Sequence, residues 1–282
     1  MAMEQPKPSE AGAAWVSQNA ASGWQNAAAA RGQALVPVNA MMLDLAGVTT
    51  GCRVLDLGAG TGDQTLLAAQ RVGPSGSVLA TDISASMLDL AQKAAREADL
   101  PNVQTQVMDA QDLKLESGSF DAAIARFSLQ FVPDLQRALA EVLRVLKPGG
   151  RFAAVVFSSV ERNPFRAAPQ VIASRLAGRR FPEPGPGQWA LNDPTVLENA
   201  FRQAGFGAVD VRPVPFAYRF PSLTEAMHNV ESAQPLFVKL MAELSEADQA
   251  AARAEIEQTL QQFVRPDGFL APSEALVAVG TA

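Results

Sequence analysis

Val54-Leu55-Asp56-Leu57-Gly58-Ala59-Gly60-Thr61-Gly62 is the stretch on which the fold turns. Arg53 to Asp56 reads as a short buried strand. Three glycines at every second position then close the strand and open a helix. Glycine turns tightly and lets a ligand approach the backbone without a Cβ in the way. The helix that follows points its free N–H groups and positive dipole end at the same spot. Such a turn holds a polar ligand.

Outward from this loop, strands and helices alternate. Thr65 to Val72 predicts a helix stopped at Gly73-Pro74-Ser75-Gly76. Val78 to Thr81 is a second strand ending at Asp82, and Ser84 caps a helix to about Ala98. Val103 to Met108 is a third strand ending at Asp109, and Phe120 to Ala125 a fourth. A helix from Asp134 to Leu146 stops at Lys147-Pro148-Gly149-Gly150, before a fifth strand, Arg151 to Phe157. This alternation implies a parallel sheet with helices on both faces and ligands beyond the carboxyl ends of its strands. Asp56, Asp82 and Asp109, each at or near a strand end, should converge on one rim.

The flanks are less regular. Residues 1 to about 12 look disordered, Ala13 to Arg31 predicts one alanine-rich helix carrying Trp15, Val16 and Trp24, and Pro37 starts another. This helical leader, 1–47, is expected to serve as a lid on the rest of the chain, 48–282, whose ligand-binding half is 48–157. Two insertions of irregular pattern, about 158–192 and 221–266, are expected to form helical caps on the sheet. Asp193-Pro194 opens a helix between them, and Phe206 to Phe220, broken by Pro213 and Pro215, suits a sheet edge. Ser222 to Glu225 is a capping box opening a helix that carries His228. A longer helix is expected near Glu246 to Val264, and a last strand over Leu276 to Thr281.

The 282 residues are 48% hydrophobic and 18% charged, with a net charge of −6 and no Lys/Arg run. That balance argues against a nucleic-acid groove or an anionic membrane surface. A single cysteine, Cys52, and a single histidine, His228, argue against a disulfide framework and a Cys/His metal site. Without a signal-peptide core or an apolar run of spanning length, a cytoplasmic monomer or homodimer is expected.

The spacing Gly58-x-Gly60-x-Gly62 differs from the G-x-G-x-x-G of nicotinamide loops. A carboxylate at Asp56 would repel a pyrophosphate and suits a ligand with an ammonium group. Asp82 stands where a ribose is held by its two hydroxyls, and Asp109 within reach of an adenine amino group. An adenine nucleoside with a cationic amino-acid tail, S-adenosyl-L-methionine, fits all three acids. A nicotinamide-dependent oxidoreductase remains as an alternative.

The motifs from about 48 to 157 resemble the class I S-adenosylmethionine-dependent methyltransferases, especially the branch of ubiquinone/menaquinone-biosynthesis C-methyltransferases and small-molecule methyltransferases. The resemblance rests on the glycine loop, Asp82-Ile83-Ser84 with Met87, Asp109 to Leu113, Phe120-Asp121, and Leu146 to Gly150. It implies a Rossmann-like α/β sheet of seven strands, mostly parallel, the last antiparallel and inserted beside the fifth. It further implies that Asp56, Gly58, Ala59, Gly60 and Gly62 form the methionine side of a cofactor site. Asp82 would hold the ribose, Ile83 and Met87 the adenine face, and Asp109 and Ala110 the adenine edge. Arg126 would stand near the methionine carboxylate.

Methyl transfer from a sulfonium needs alignment of nucleophile and methyl carbon at roughly 3–3.5 Å, and exclusion of water. A base is required only where the acceptor must lose a proton. His228 is the candidate base, with Glu231 to orient it and Tyr218 as a substitute. The aromatic caps suit a small, aromatic or quinone-like acceptor, methylated on oxygen or carbon. A protein that binds the cofactor and acts through partners is the non-enzymatic alternative.

Overall fold

The structure, a computed structural model, describes residues 10–13, 15 and 18–282. Of the stretch expected to be disordered, residues 1–9 lie outside the described residues, as does Val16 of the first expected helix, whereas Glu10–Ala13 is helical. Four short helices lead in: α1 (Glu10–Ala13), α2 (Gln18–Asn26), α3 (Ala28–Ala34) and α4 (Val36–Leu45). The core half follows as β1 (Arg53–Leu57), α5 (Asp63–Val72), β2 (Ser77–Asp82), α6 (Ala85–Glu97), β3 (Val103–Val107), β4 (Phe120–Arg126), α7 (Leu135–Val145) and β5 (Leu146–Phe157). Then come α8 (Pro164–Leu176), α9 (Pro194–Gln203), β6 (Gly207–Phe220), α10 (Leu223–Ala233), α11 (Pro235–Ala242), α12 (Glu246–Leu260), β7 (Val264–Arg265) and β8 (Gly268–Thr281).

The long strands form one sheet in the order β3-β2-β1-β4-β5-β8-β6, with the two-residue β7 added as a hairpin on β8. Neighbours from β3 through β5 are parallel, whereas β8 runs antiparallel to both β5 and β6. The last strand is therefore inserted beside the fifth, as the resemblance implies. The order reverses at β1, between β2 and β4, which opens a crevice at the carboxyl ends of β1 and β4. β6 is an edge strand, so the missing N–H groups of Pro213 and Pro215 break no ladder on a second side.

Strand alternation divides the core. Val54, Ile124, Val155 and Val277 face one cluster with α4, α5 and α8. Leu55, Ala123, Phe152 and Leu276 face the other, with α7 and α9. Both faces are covered, which is why the central strands read as near-continuous apolar runs. Side chains cap the helices where the sequence places them: Ser84 accepts from Met87 N, Asp134 from Arg137 N, Asp193 from Thr195 N and Ser222 from Glu225 N.

Three expectations are corrected. The first leader helix breaks at Ala27, and α4, beginning at Val36, lays Val38 and Met42 into the core. Pairing of β5 with β4 already begins at Leu146↔Phe120 and resumes at Arg151↔Ala122 after an irregularity spanning the Lys147–Gly150 turn. The last strand begins at Gly268, eight residues earlier than its apolar end suggests, because it also pairs with β7 and the far half of β6. The insertion 158–192 carries a full helix, α8, in keeping with a helical cap, its bounds obscured by two prolines. Pro164 occupies its first turn, where no N–H is needed. Pro169 lies inside and costs about 3 kcal/mol. Burial of Phe165 and Ile172, at about 1.5–3 kcal/mol each, offsets it. Among the described residues no helix is long and apolar enough to cross a membrane.

Gly62 opens α5 at φ +90°, and a Cβ there would lie 2.9 Å from the Ala91 Cβ on α6. Its place is the contact between two helices. Gly62→Ala should destabilise the fold by roughly 2–4 kcal/mol, left-handed strain plus overpacking, read from urea unfolding. An unchanged midpoint with weakened ligand binding would instead return Gly62 to the site.

Candidate active site

The crevice is built from the glycine loop upward. Gly58 adopts φ +62°, and a Cβ on it would come 2.3 Å from the Ser128 Cβ. Ser128 Oγ donates to Leu57 O at 2.9 Å, tying the segment after β4 to the end of β1. Ala59 N donates to Thr81 O, and Gly60 N to Asp82 Oδ2 at 2.9 Å. The other carboxylate oxygen of Asp82 accepts from Ser84 N at 2.9 Å. One carboxylate thus braces the glycine loop against the start of α6. Burial pushes its pKa up, against the pull of these N–H donors.

Gly58, Ala59, Gly60, Asp82, Ile83, Met87, Asp109, Ala110 and Arg126 all line a single cleft. Asp109 accepts from Gln111 N and from its side-chain amide, and Gln111 Oε1 accepts from Asp134 N. The loop after β3 is thereby fixed to the cap of α7. Trp15 and Trp24 of the leader close one side, packed edge to face with centroids 5.0 Å apart.

Asp56 is placed otherwise than expected. Strand period two sends it to the same face as Val54, beneath the loop and under α5. It is fully buried, accepting from Thr65 Oγ1 at 2.6 Å and Gln64 Nε2 at 3.1 Å, and does not line the cleft. Burial pushes its pKa up to about 6. Gly62 is also outside the cleft, for the packing reason given above. His228 is exposed on α10 and lines no part of the cleft. Glu231 ion-pairs with Arg253 at 2.9 Å and so does not orient it.

Arg126 extends from the end of β4 into the leader, donating to Asn39 Oδ1 at 2.8 Å and Asp63 Oδ2 at 3.2 Å. Arg31 donates to the same Asp63 oxygen at 2.7 Å and lies 3.8 Å above the Trp24 ring. Burial alone would raise Asp63, but the two guanidiniums outweigh it and hold the carboxyl below its usual value. Burial pushes Arg31 down to about 10. The cluster retains one positive charge in excess.

Beyond it the cleft turns aromatic. Phe127, held at φ +55°, stacks on Phe157 with centroids 4.2 Å apart. A non-glycine residue in that region marks strain concentrated at a site. Arg166 on α8 borders the same space, is 5% exposed, and among the described residues has no hydrogen bond or ion pair on its guanidinium. Its contact over the Phe157 ring, at 5.8 Å, supplies about 0.5–2 kcal/mol. Taking a charge out of water costs several kcal/mol, so the ring does not balance it. Gln188 Nε2 and both amide atoms of Gln130 are likewise buried without partners. Arg31 and Arg166 were invisible to motif reading. An arginine three residues after Asn163, at the start of a proline-opened helix, was the sole local signal.

A family model described as a methyltransferase domain matches residues 54–150. A demethylmenaquinone methyltransferase of Lactococcus lactis is 34% identical over 174 residues, covering 58% of this chain and 69% of that protein. The chain belongs to the class I S-adenosylmethionine-dependent methyltransferases, on the ubiquinone/menaquinone-like branch. A ubiquinone/menaquinone biosynthesis C-methyltransferase UbiE of Idiomarina loihiensis is 39% identical over 117 residues, 41% of this chain and 47% of that one. The chain thus spans about half the length of several curated relatives. The Bacillus subtilis YcgJ protein shares the fold, with a TM-score of 0.58 at 18% identity over 86% of this chain and 97% of that chain. So does a Haemonchus contortus phosphoethanolamine N-methyltransferase solved with S-adenosylhomocysteine, with a TM-score of 0.54 at 20% identity over 86% and 52%. Family membership makes the methyltransferase an enzyme and its cofactor S-adenosylmethionine, in place of a nicotinamide. The cradle fits: a Cβ on Gly60 would project toward the Trp24 indole, 3.6 Å from Nε1.

The buried Asp56 makes this methyltransferase's stability pH-dependent. Its folded pKa of about 6 exceeds the ordinary 3.8, so its contribution is full below about pH 4 and is lost as pH rises through about 6. Asp56→Asn does not titrate. Wild type should lose roughly 3 kcal/mol relative to that variant between about pH 4 and 7.5, measured by urea unfolding. A difference that stays flat with pH would contradict the assignment.

Proposed function

We propose that this methyltransferase moves the methyl group of S-adenosylmethionine to a quinone-like aromatic small molecule by direct displacement. The observation that carries the reading is one continuous cleft, acid-braced and glycine-floored at one end and aromatic with unpaired donors at the other. The names of the Lactococcus and Idiomarina relatives support a quinone acceptor and attack by carbon.

Each residue then has a task. Asp82 holds the ribose hydroxyls, Ile83 and Met87 bound the adenine face, and Asp109 and Ala110 meet its edge. The backbone of Gly58, Ala59 and Gly60 floors the methionine part, and the Arg31–Asp63–Arg126 cluster offers its excess positive charge to the carboxylate. Bound S-adenosylmethionine supplies the electrophilic methyl and its own leaving group. Asp56 and Gly62 support the loop from below. His228, exposed and outside the cleft, has no part in the chemistry. The leader is the lid: α2 brings Trp24 over the cleft and packs on α10 through Gly23. We further infer a cytoplasmic monomer or homodimer without a nucleic-acid partner, in keeping with the acidic balance.

Incubation with isotopically labelled S-adenosylmethionine and reduced 1,4-naphthoquinones should give a methylated product by mass spectrometry. Cofactor binding without turnover across quinols, quinones and phenols would overturn the proposal in favour of a binding protein. Asp82→Asn should weaken S-adenosylhomocysteine binding about 10–100-fold with an unchanged far-ultraviolet spectrum. Undiminished affinity would remove Asp82 from the ribose.

A Cβ on Gly23 would fall 2.2 Å from Ser232 O. Gly23→Val should therefore undock the leader, raising KM for the cofactor roughly tenfold and speeding tryptic cleavage after Arg31. Faster cleavage with unaltered KM would show a leader that is structural only.

A further inference from the structure

The described cations at the inner end of the cleft outnumber the carboxylates paired with them. Arg31 and Arg126 share Asp63. Arg166 has no carboxylate: among the described residues its guanidinium makes no hydrogen bond or ion pair beyond its contact over the Phe157 ring, and its Nε is sealed from solvent. It stands where the cleft meets a smaller side chamber, bordered in common by Trp24, Phe127 and Phe157. Tyr218 and Asn229 form the far wall of that chamber. A buried, unpaired guanidinium beside a stacked aromatic pair is the recognition chemistry of a planar anion.

A second observation concerns the missing base. The carboxylates that line the cleft, Asp82 and Asp109, stand beside the glycine loop and the end of β3, each already accepting hydrogen bonds from its own loop. Tyr218 is buried, which pushes its hydroxyl up and keeps it a donor. The remaining polar side chains there are the amides of Gln130, Gln188 and Asn229 and the Ser128 hydroxyl, which already donates to Leu57 O. No described group there is available to remove a proton from an acceptor.

Resting on the proposed function, we propose that Arg166 binds the acceptor as its oxyanion, a phenolate or the enolate of a hydroxyquinone, against the Phe127–Phe157 stack. The acceptor leaves its proton in solvent on binding. Its electron pair forms the new bond to the methyl carbon while the C–S bond breaks, and sulfur departs as a neutral thioether. Attack through oxygen gives the ether directly. Attack through a ring carbon gives a neutral ketone, a dienone from a phenolate or a triketone from a hydroxyquinone, whose ring proton passes through solvent to its oxygen. In either case the negative charge is consumed by the sulfonium, Arg166 keeps its proton, and the neutral product loses its hold on the guanidinium.

The test uses the full chain with saturating S-adenosylhomocysteine and two probes, 2-hydroxy-1,4-naphthoquinone and its non-ionising 2-methoxy analogue. Calorimetry at neutral pH should show the hydroxy compound binding about tenfold or more tightly. Arg166→Gln should abolish that preference while leaving S-adenosylhomocysteine affinity within about twofold, and Arg166→Lys should keep part of it. Equal affinity of wild type for both probes, or no binding of either, would overturn the proposal. So would a preference that survives in Arg166→Gln, or a loss of S-adenosylhomocysteine binding in that variant, which would place Arg166 on the cofactor. If Arg166→Gln fails to fold, the ratio of the two affinities in wild type and Arg166→Lys decides. Wild type that does not bind S-adenosylhomocysteine would sink the proposed function itself, whereas binding without a hydroxy preference sinks this inference alone.

Discussion

Asp63 is the constraint on which the arrangement rests. It stands in the first turn of α5, where a carboxylate also meets the positive end of the helix. From there it holds two buried guanidiniums that come from opposite sides, Arg31 on α3 and Arg126 at the end of β4. Without it, two cations would face each other in a space that excludes water. With it, the leader is pinned to the sheet at the switch point, and Trp24 is carried along because it stacks on Arg31 and its carbonyl accepts from the same guanidinium. The roof of the cleft is therefore a consequence of an ion cluster at its floor.

Much of the core half was legible because the relevant physics is local. Strand ends, glycine turns and N-caps are written within a few residues, and Asp82 and Asp109 lie on the rim where strand ends place them. Asp56 was misread although its direction was available. It shares parity with Val54, and alternation sends both under α5. His228 repeats the lesson on a helix. Ala226, Val230 and Ala233 form the buried stripe of α10, and His228, two positions from Ala226, must face away from it. In both cases chemical identity outweighed geometry that the pattern already contained.

Arg31, Arg166 and the unpaired glutamines were not legible in that way. Each matters only through contacts that the tertiary fold makes, such as Arg31 with Asp63 or Arg166 with Phe157. Pro169 obscured the bounds of α8 as well, since helix propensity argues against a proline that only tertiary burial can tolerate. The second half of the chain therefore supplies Arg166 and Gln188 to the aromatic end of the cleft while offering few local signals of its own.

The two ends of the cleft treat polar groups in opposite ways. At the cofactor end every carboxylate is braced: Asp82 by Gly60 and Ser84, Asp109 by Gln111. Those groups are fixed before a ligand arrives, which reduces what must be ordered on binding. At the aromatic end, Arg166 Nε, Gln188 Nε2 and the Gln130 amide have no hydrogen-bond partner among the described residues, each at a cost of about 1–3 kcal/mol. An acceptor bearing oxygens at matching positions relieves that cost, while a hydrocarbon of the same shape leaves it in place. Discrimination at such a site comes less from the attraction of the right molecule than from the donors that the wrong one strands. On the proposed reading, the stacked Phe127 and Phe157 admit many flat rings, and the unpaired donors choose among them by their oxygens.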